Sequence, residues 1–241
     1  MGTVLEAIVL KSFDYQDHHK IVKMISPSHG LFSVFIGYAN KKKSRYGALS
    51  ESLTCVNLTV KVPNDDRGGL YYLIHGEIID SFYELKVDYE KVMMFYEMAE
   101  VLLKGDIDLY HLPYGYRLLK SILEMGHIDD IVFRLIVVHF KFKMLALLGV
   151  EPILDSCVSC GTTSGIVTPS IREGGLICKD CYRGEEVLIS SDLTPLWRAM
   201  FKASLERLLD APIPSHEVEL LEMWVKVYYE SYTGIRFLKR I

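Results

Sequence analysis

Three patterns in the sequence predict an α+β protein of several domains. Apolar residues alternate with a period of two over residues 1–80, which is typical of strands. From Phe82 onward they recur with the period of a helix, and two Cys-x-x-Cys pairs interrupt that helical part. We therefore predict an N-terminal five-stranded barrel at residues 1–80 and a helical C-terminal domain at residues 81–241, with an inserted four-cysteine module at residues 151–184.

Five strands account for the first domain, and turn-forming residues separate them. The segment Ser26–Gly30 is a turn by composition, and residues 63–69 combine proline, asparagine, aspartate and glycine. Five short strands in so small a domain favour a closed barrel such as the OB-fold, because closure removes exposed strand edges. The predicted strands are Leu5–Lys11, Lys20–Ile25, Leu31–Tyr38, Leu53–Val62 and Leu70–Ile79.

Five helices are expected in the second domain. The third has apolar residues nearly all round its circumference, so we expect it to be the central helix. The segments on either side of the cysteine pairs each lack a full core, and we expect them to pack together as one domain. The predicted helices run from near Phe82 to Gly105, from Pro113 to Gly126, from Asp129-Asp130 to Gly149, from about Ser191-Asp192 to Leu209, and from Ser215 to Tyr232.

The cysteine spacing indicates a structural metal site. Cys157 and Cys160 form one Cys-x-x-Cys pair, Cys178 and Cys181 form the other, and 17 residues lie between the pairs. This spacing lets four thiolates converge on one Zn²⁺ ion once a hairpin folds the chain back. Four thiolates fill the coordination shell and leave no position for water, so the expected cofactor is structural zinc. The hairpin strands are expected at Ile166–Thr168 and Leu176–Ile177, with Gly174-Gly175 as the turn.

Two disulfides or ordinary buried cysteines are the alternative interpretation. The N-terminal residues contain neither the basic nor the apolar segment of a secretion signal, and Glu6 stands where a myristoylation signal needs Ser or Thr. We therefore expect a reducing cytoplasmic location, in which paired cysteines of this spacing bind metal. The fifth cysteine, Cys55, lies alone in an alternating apolar stretch and is expected to be a core residue.

Composition limits the kinds of partner. Of 241 residues, 50% are hydrophobic and 24% are charged, enough apolar material for a substantial core. No apolar run reaches the roughly 18 residues of a membrane span, so no membrane association is expected. The formal net charge of −4 excludes a protein coated in basic residues. Any contact with nucleic acid must therefore come from a local patch.

One basic cluster offers such a patch. The segment Asn40–Gly47 follows the third predicted strand and holds Lys41, Lys42, Lys43 and Arg45. A solvated loop is the usual alternative for a charge run. The setting favours phosphate contacts, because OB-folds bind single strands with cations and stacking aromatic rings. Rings could come from Phe32, Phe35, Tyr38 and Tyr46, of which alternation allows about half to face outward.

Catalytic motifs are scarce. The chain has no phosphate-binding G-x-x-x-x-G-K-[ST] loop, no G-x-S-x-G elbow and no H-E-x-x-H. His75-Gly76-Glu77 with a later Cys-x-x-Cys is similar to a zinc deaminase signature. Ser156 precedes Cys157 where that signature needs proline, and the signature leaves the second cysteine pair unexplained. We therefore expect no enzymatic activity and no catalytic residues.

Short motifs along nearly the whole chain resemble those of the bacterial RecO recombination mediators. Each motif alone is loose, but their order and spacing together are fairly specific. In the first domain they are Ala7–Ser12, Asp14-Tyr15, His19–Val22, His29-Gly30 and Lys43–Arg45; in the second they are Gly149–Pro152, Cys157–Gly161 and Gly174–Cys178.

The resemblance implies a DNA repair protein that acts on the nucleoid in the cytoplasm. Such a protein binds single- and double-stranded DNA and anneals complementary strands. With RecR it helps to load RecA onto DNA coated by single-strand binding protein, whose C-terminal tail the helical domain would receive. The implied DNA-binding residues are Lys41, Lys42, Lys43, Arg45, Lys11, Lys20 and Tyr38.

The alternative function is a protein-interaction scaffold. In a protein of this kind, the barrel would bind another protein and no DNA, and the zinc would again be structural. The acidic net charge favours this function, whereas the basic cluster at Lys41–Arg45 favours DNA.

Overall fold

A computed structural model describes residues 2–63, 69–184, 194–209 and 213–237. The chain divides into two compact units, the first ending at His127 and the second beginning at Ile128. Each unit has its own core, and each is described below by itself.

The first unit contains a closed five-stranded barrel, as the sequence predicted. The strand order is β1-β2-β3-β5-β4, and all neighbours pair antiparallel except β3 and β5. The parallel β3–β5 pair closes the barrel through Val34 opposite Tyr71 and Phe35 opposite Tyr72. The strands are β1 Thr3–Tyr15, β2 His19–Ser26, β3 Gly30–Ile36, β4 Cys55–Lys61 and β5 Tyr71–Asp80.

Strict alternation separates the inside of the barrel from the outside. Along β3, Phe32, Val34 and Ile36 are buried, whereas Ser33 and Phe35 between them are only half-buried. This is the period of two that a strand with one core face requires. The interior cluster also includes Leu5, Ala7, Val9, Val22, Met24, Val56, Leu58 and Val60.

Strand β1 runs to Tyr15, four residues further than predicted. Its first half pairs with β4, and from Ile8 to Tyr15 it pairs with β2, so one long strand serves two neighbours. A register shift between Val9 and Lys11 marks the change. The β1–β2 hairpin closes through Gln16, whose φ of 53° is unusual for a residue other than glycine.

Three α-helices complete the part of the first unit that the structure describes. Where the sequence predicted one helix from Phe82, the chain forms a short α1 and a longer α2. Asp88 separates them, because its carboxylate accepts the amide N–H of Lys91 and starts a new helix. Pro113 lies in the first turn of α3, as expected. The helices are α1 Tyr83–Lys86, α2 Tyr89–Lys104 and α3 Leu112–Glu124.

The second unit is built around α4, Asp130–Leu147. Its residues are buried nearly all round, and it packs against α5 Thr194–Lys202, α6 Leu205–Leu209 and α7 Ser215–Thr233, as expected of a central helix. The predicted helix start near Ser191-Asp192 lies outside the described residues. The predicted fourth helix is divided into α5 and α6 at residues 203–204.

A small three-stranded sheet carries the cysteines of the second unit. Its strands are β6 Ile153–Cys157, β7 Ile166–Ser170 and β8 Gly175–Cys178, in the order β6-β8-β7. The predicted hairpin is β7 with β8, and Gly174 makes its turn with φ of +75°. A Cβ on Gly175 would lie 2.3 Å from the Ile153 carbonyl oxygen, so only glycine lets β6 approach β8.

The predicted domain boundary at residue 80 stays a prediction. The helices α1 to α3 lie in the same compact unit as the barrel, and α4 begins the second unit. In the first unit, α2 contacts β1 and α3 contacts β2 and β3. Because α2 and α3 pack on barrel strands, they belong to the same compact unit as the barrel.

Candidate nucleic-acid interface and metal centre

The basic cluster forms a folded loop at the rim of the barrel. After β3, two successive turns are closed by backbone hydrogen bonds. The Lys41 amide donates to the Tyr38 carbonyl at 3.2 Å, and the Ser44 amide donates to the Lys41 carbonyl at 2.8 Å. Asn40 ties the loop to the β1–β2 hairpin, since its side-chain amide donates to Asp14 at 3.0 Å. Lys41, Lys42, Lys43 and Arg45 are therefore presented together, and all four are exposed.

Aromatic rings accompany two of these cations. The Lys41 ammonium lies 4.4 Å from the centroid of the Tyr38 ring, and the Arg45 guanidinium lies 4.6 Å from that of Tyr46. Tyr38 is 57% exposed, whereas Tyr46 packs against the barrel core. Of the four rings that the sequence suggested, Phe32 and Tyr46 pack in or against the barrel core, whereas Phe35 and Tyr38 lie outside it. Half of them therefore face outward, as expected.

The weaker predicted DNA contacts, Lys11 and Lys20, lie on opposite faces of the sheet. Lys11 faces outward but pairs with Glu100 at 3.2 Å, which offsets part of its charge. Lys20 is half-buried and shares the face of Val22 and Met24, which line the core. Both assignments to DNA binding stay predictions.

Two exposed lysines were missed by sequence reasoning. Lys23 lies directly opposite Lys11 in the β1–β2 ladder, and Lys61 lies opposite Tyr72 in the β4–β5 ladder. The signal that could have found Lys23 is its alternation with Val22 and Met24, which places it on the outer face.

The net negative charge of the chain lies in its second part. Residues 1–80 hold nine Lys and Arg against eight Asp and Glu, a net charge of +1. Because the total is −4, residues 81–241 carry a net charge of −5. Lys41, Lys42, Lys43 and Arg45 contribute +4 to that sum, so the other residues of 1–80 carry −3. The positive charge of this part is therefore concentrated in the basic loop, which is where a phosphate chain would be attracted.

The four cysteines converge as the spacing predicted. Their sulfur atoms all lie within 4.8 Å of one another, and those of Cys160 and Cys178 are 3.6 Å apart. Each Cys-x-x-Cys makes a tight knuckle. The amide of Gly161 donates to the Cys157 carbonyl at 2.8 Å, and the amide of Cys181 donates to the Cys178 carbonyl at 3.1 Å. All four cysteines are free thiols, so no disulfide forms.

The thiol pKa values differ widely within this cluster. Burial raises the pKa of Cys157, but backbone N–H groups of Cys178, Cys160 and Ser159 outweigh it and lower that pKa to about 6. The Cys181 thiol donates hydrogen bonds to the neighbouring sulfurs of Cys160 and Cys178, which favours its protonated form and raises the pKa of Cys181 to about 12. The first thiolate thus forms readily and the last does not, unless a metal ion compensates their charge.

The donor set and its size fit a tetrahedral metal ion. Four thiolates at the zinc–sulfur bond length of about 2.3 Å would have sulfur atoms about 3.8 Å apart. The separation between the sulfur atoms of Cys160 and Cys178, 3.6 Å, is close to that value, and no pair is more than 4.8 Å apart. The cluster can therefore hold a metal ion, with Cys157, Cys160, Cys178 and Cys181 as its ligands.

Within the second unit, side chains of α5 and α7 hold the three-stranded sheet. The Tyr232 hydroxyl on α7 donates to the Ile171 carbonyl at 2.7 Å, and Arg198 on α5 donates to the carbonyls of Leu154 and Asp155 at 2.9 and 3.0 Å. The four-cysteine module is thus a braced part of the helical unit.

These features define a class of protein: a five-stranded barrel with a cationic loop on its rim, joined to a helical unit that carries a closed four-cysteine site. A site whose four positions are all filled by thiolates has the form of a structural metal centre. Among the residues that the structure describes, no helix is both long enough and apolar enough to span a membrane.

The sequence comparisons identify the family. The model of the Recombination protein O N-terminal domain matches residues 1–82, and that of the C-terminal domain matches residues 88–241. This chain belongs to the RecO family of DNA repair proteins.

Full-length relatives support the assignment. A DNA repair protein RecO of Bacillus mycoides is 30% identical over 249 residues, covering 98% of this chain and 96% of the relative. One of Listeria innocua is 29% identical, and one of Halalkalibacterium halodurans is 28% identical, each over 240 residues. Both alignments cover 98% of this chain and 91% of the relative.

Proposed function

We propose that this chain is a non-enzymatic mediator of DNA repair and homologous recombination. It binds single- and double-stranded DNA, anneals complementary strands, and with RecR helps to load RecA onto DNA coated by single-strand binding protein. It does so in the cytoplasm, on the nucleoid. The observation that supports this most is the folded loop that presents Lys41, Lys42, Lys43 and Arg45 together beside exposed Tyr38.

Annealing of this kind requires no catalytic residue. Two DNA strands repel each other through their phosphates, and a cationic surface offsets that repulsion while the bases find their partners. Each phosphate contact also releases condensed counterions, which favours binding at low salt. Four exposed cations on one loop supply both effects.

The metal in the four-cysteine site is, in this proposal, Zn²⁺ with a structural role. Zinc suits four thiolates in tetrahedral geometry and has no redox chemistry of its own. When bound, it supplies charge compensation for the thiolates and holds β6 to β8 around one point. No step of DNA binding involves it.

Partner proteins act on other surfaces in this proposal. The helical part would receive the C-terminal tail of single-strand binding protein, and RecR would assist delivery to coated DNA. The net charge of −5 on residues 81–241 makes this part a poor surface for DNA and leaves it to protein partners.

Replacement of Lys42, Lys43 and Arg45 with Ala tests the loop. We expect weaker binding to every DNA sequence, because phosphate contacts carry no sequence information. The slope of log K against log salt should decrease by about one unit per lost contact. The measurement is a fluorescence-anisotropy titration with a single-stranded and a double-stranded oligonucleotide at several salt concentrations.

A charge-matched control separates the loop from total charge. Lys104, Arg117 and Arg207 are exposed cations on helices, and their replacement with Ala removes the same three charges. The control should keep the wild-type slope. An unchanged slope in the loop variant, or an equal change in the control, would rule out the loop as the DNA contact.

The scaffold alternative retains one observation in its favour. Leu109 and Tyr110 are 73% and 84% exposed, and exposed apolar side chains of this size are frequent in protein interfaces. If wild-type protein binds neither single- nor double-stranded DNA at low salt, the scaffold function replaces the proposed one.

A further inference from the structure

We propose that the outer face of β1, β2, β3 and β5 is a base-stacking platform that selects unpaired DNA strands. This inference rests on the proposed function, because it names the form of DNA that the same barrel prefers. We refer to Tyr15, His19, Phe35, Tyr38 and Tyr72 as the aromatic platform.

The strand register places these rings on one surface. Tyr15 lies opposite His19 in the β1–β2 ladder, and Phe35 lies opposite Tyr72 in the β3–β5 ladder. Paired residues share a face of the sheet, and Phe35 alternates with the buried Val34 and Ile36, so this face is the outer one.

The rings touch in a continuous group with Phe35 at its centre. The Phe35 centroid lies 6.1 Å from Tyr15, 5.1 Å from His19 and 5.6 Å from Tyr72. His19 in turn lies 5.0 Å from Tyr38. Rings at these separations hold one another in position, so the platform is organised before a ligand arrives.

These side chains stay accessible although they are large. Tyr15, Tyr38 and Tyr72 are 43%, 57% and 50% exposed, whereas Phe32 and Val34 on the other face of β3 are buried. A core position would have hidden them. An accessible group of contacting rings is what stacking of nucleic-acid bases requires.

Tyr38 connects the platform to the cationic loop. Its φ of 56° is rare for an aromatic residue and indicates a conformation that the surroundings impose. The amide of Tyr38 donates to Nδ1 of His19 at 3.1 Å, and the Lys41 ammonium lies 4.4 Å from the ring centroid. Bases on the platform would thus have phosphates beside the loop.

Stacking discriminates between strands in a way that cations cannot. Lysine and arginine contact phosphates of single strands and duplexes alike. Only an unpaired strand can place a base face on a protein ring, and each such stack contributes on the order of tenfold in affinity. The loop therefore supports binding of both forms, and the aromatic platform adds preference for the single strand.

The same chemistry suits annealing. A base that stacks through its face keeps its Watson–Crick edge free for a second strand. Once the two strands pair, their base faces are covered by the duplex and the stacking contacts are lost. Pairing would therefore weaken the hold of the platform on its product.

The test replaces the exposed tyrosines of the platform. Tyr15 and Tyr72 become Thr, which suits strands, and Tyr38 becomes Asn, which tolerates a positive φ. We expect affinity for an oligothymidine to fall about tenfold or more, while affinity for a duplex of equal length changes by less than about twofold. The salt slope for both should stay at the wild-type value.

A control triple replaces Tyr83, Tyr89 and Tyr110 with Gln. These tyrosines are 71%, 55% and 84% exposed and lie outside the platform. The control should bind both forms of DNA as wild type does. Equal losses for single strand and duplex in the platform variant would overturn the proposal, and so would no loss at all.

A second measurement needs no variant. One 2-aminopurine in an oligothymidine should lose emission when wild-type protein binds, because its base stacks on a ring. Unchanged emission at saturating protein would contradict the platform while leaving DNA binding intact. If wild-type protein binds no DNA, the proposed function fails and not only the platform.

Discussion

At the scale of single residues, Glu6 connects the barrel to a helix of the first unit. It lies on β1 and accepts hydrogen bonds from the Tyr116 hydroxyl and, at 2.6 Å, from the Lys120 ammonium on α3. The bond from Lys120, and then that from Tyr116, hold the pKa of Glu6 below its ordinary value. The carboxylate therefore stabilises the attachment of α3 to the barrel only while it is ionised.

Replacement of Glu6 with Gln should make the free energy of unfolding less dependent on pH in the acidic range. Because the pKa of Glu6 is lowered by folding, its contribution is present above the ordinary glutamate pKa of about 4.3 and is lost as pH falls through the lowered value. At neutral pH the variant should lose about 1 kcal/mol, a modest amount since the side chain is partly solvated. Urea unfolding at a series of pH values measures this difference.

Glu84 provides the matched control. It is an exposed glutamate of the same unit, and its replacement with Gln should leave the pH profile of unfolding as in wild type. If the Glu6 variant differs from wild type by the same amount at every pH, its lost stability does not come from an ionised carboxylate.

At the scale of elements, an aromatic column links the four-cysteine module to the helical core. Along α7, Trp224 stacks on Tyr228 at 4.6 Å and Tyr228 on Tyr232 at 4.3 Å between ring centroids. Trp224 also contacts Trp197 on α5 at 4.9 Å. The Tyr232 hydroxyl ends the column on the Ile171 carbonyl beside the β7–β8 turn.

Loss of the metal should therefore change the tryptophan fluorescence. Replacement of Cys157 with Ser removes one ligand, and we expect less bound zinc and a melting temperature lower by on the order of 10 °C. Both tryptophans of the chain belong to the aromatic column, so their emission should change as well. Metal analysis, thermal unfolding and fluorescence on one sample measure all three.

Replacement of Cys55 with Ala serves as the control. Cys55 is a buried thiol of the first unit, so its loss removes a cysteine without removing a ligand. This variant should keep its zinc. A Cys157 variant with wild-type zinc content and melting temperature would contradict the structural role of the site.

Elements with a strong local signal could be predicted from the sequence. Alternation in β3, the Cys-x-x-Cys spacing and the apolar circumference of α4 each depend on neighbours in the chain. The break between α1 and α2 was not predicted, because it occurs where the Asp88 side chain caps the start of α2. Strand β6 was missed because five residues without clear alternation pair only once β8 is in place.

At the scale of the whole molecule, function depends on residues that the fold brings together from far apart. Tyr15 and Tyr72 lie on either side of Phe35 although they belong to different ends of the barrel sequence. No local pattern distinguishes Tyr72, on the outer face, from Tyr71, which packs on the core. The parallel β3–β5 register decides between them, and a single sequence does not reveal that register.

The net charge of the whole chain does not describe its two parts. The total of −4 favours protein partners, yet residues 1–80 carry +1 and hold the basic loop. In the function that we propose, the barrel binds nucleic acid and the acidic helical part binds protein partners. This function requires DNA to lie on the barrel.

Photo-crosslinking tests whether DNA lies on the barrel. A single-stranded oligonucleotide with 5-iododeoxyuridine is irradiated with the wild-type protein, and the attached peptides are identified by mass spectrometry. We expect attachment to peptides that contain Tyr15, Phe35, Tyr38 or Tyr72, and less attachment when unlabelled single strand competes. Attachment confined to residues 128–237 would contradict this expectation.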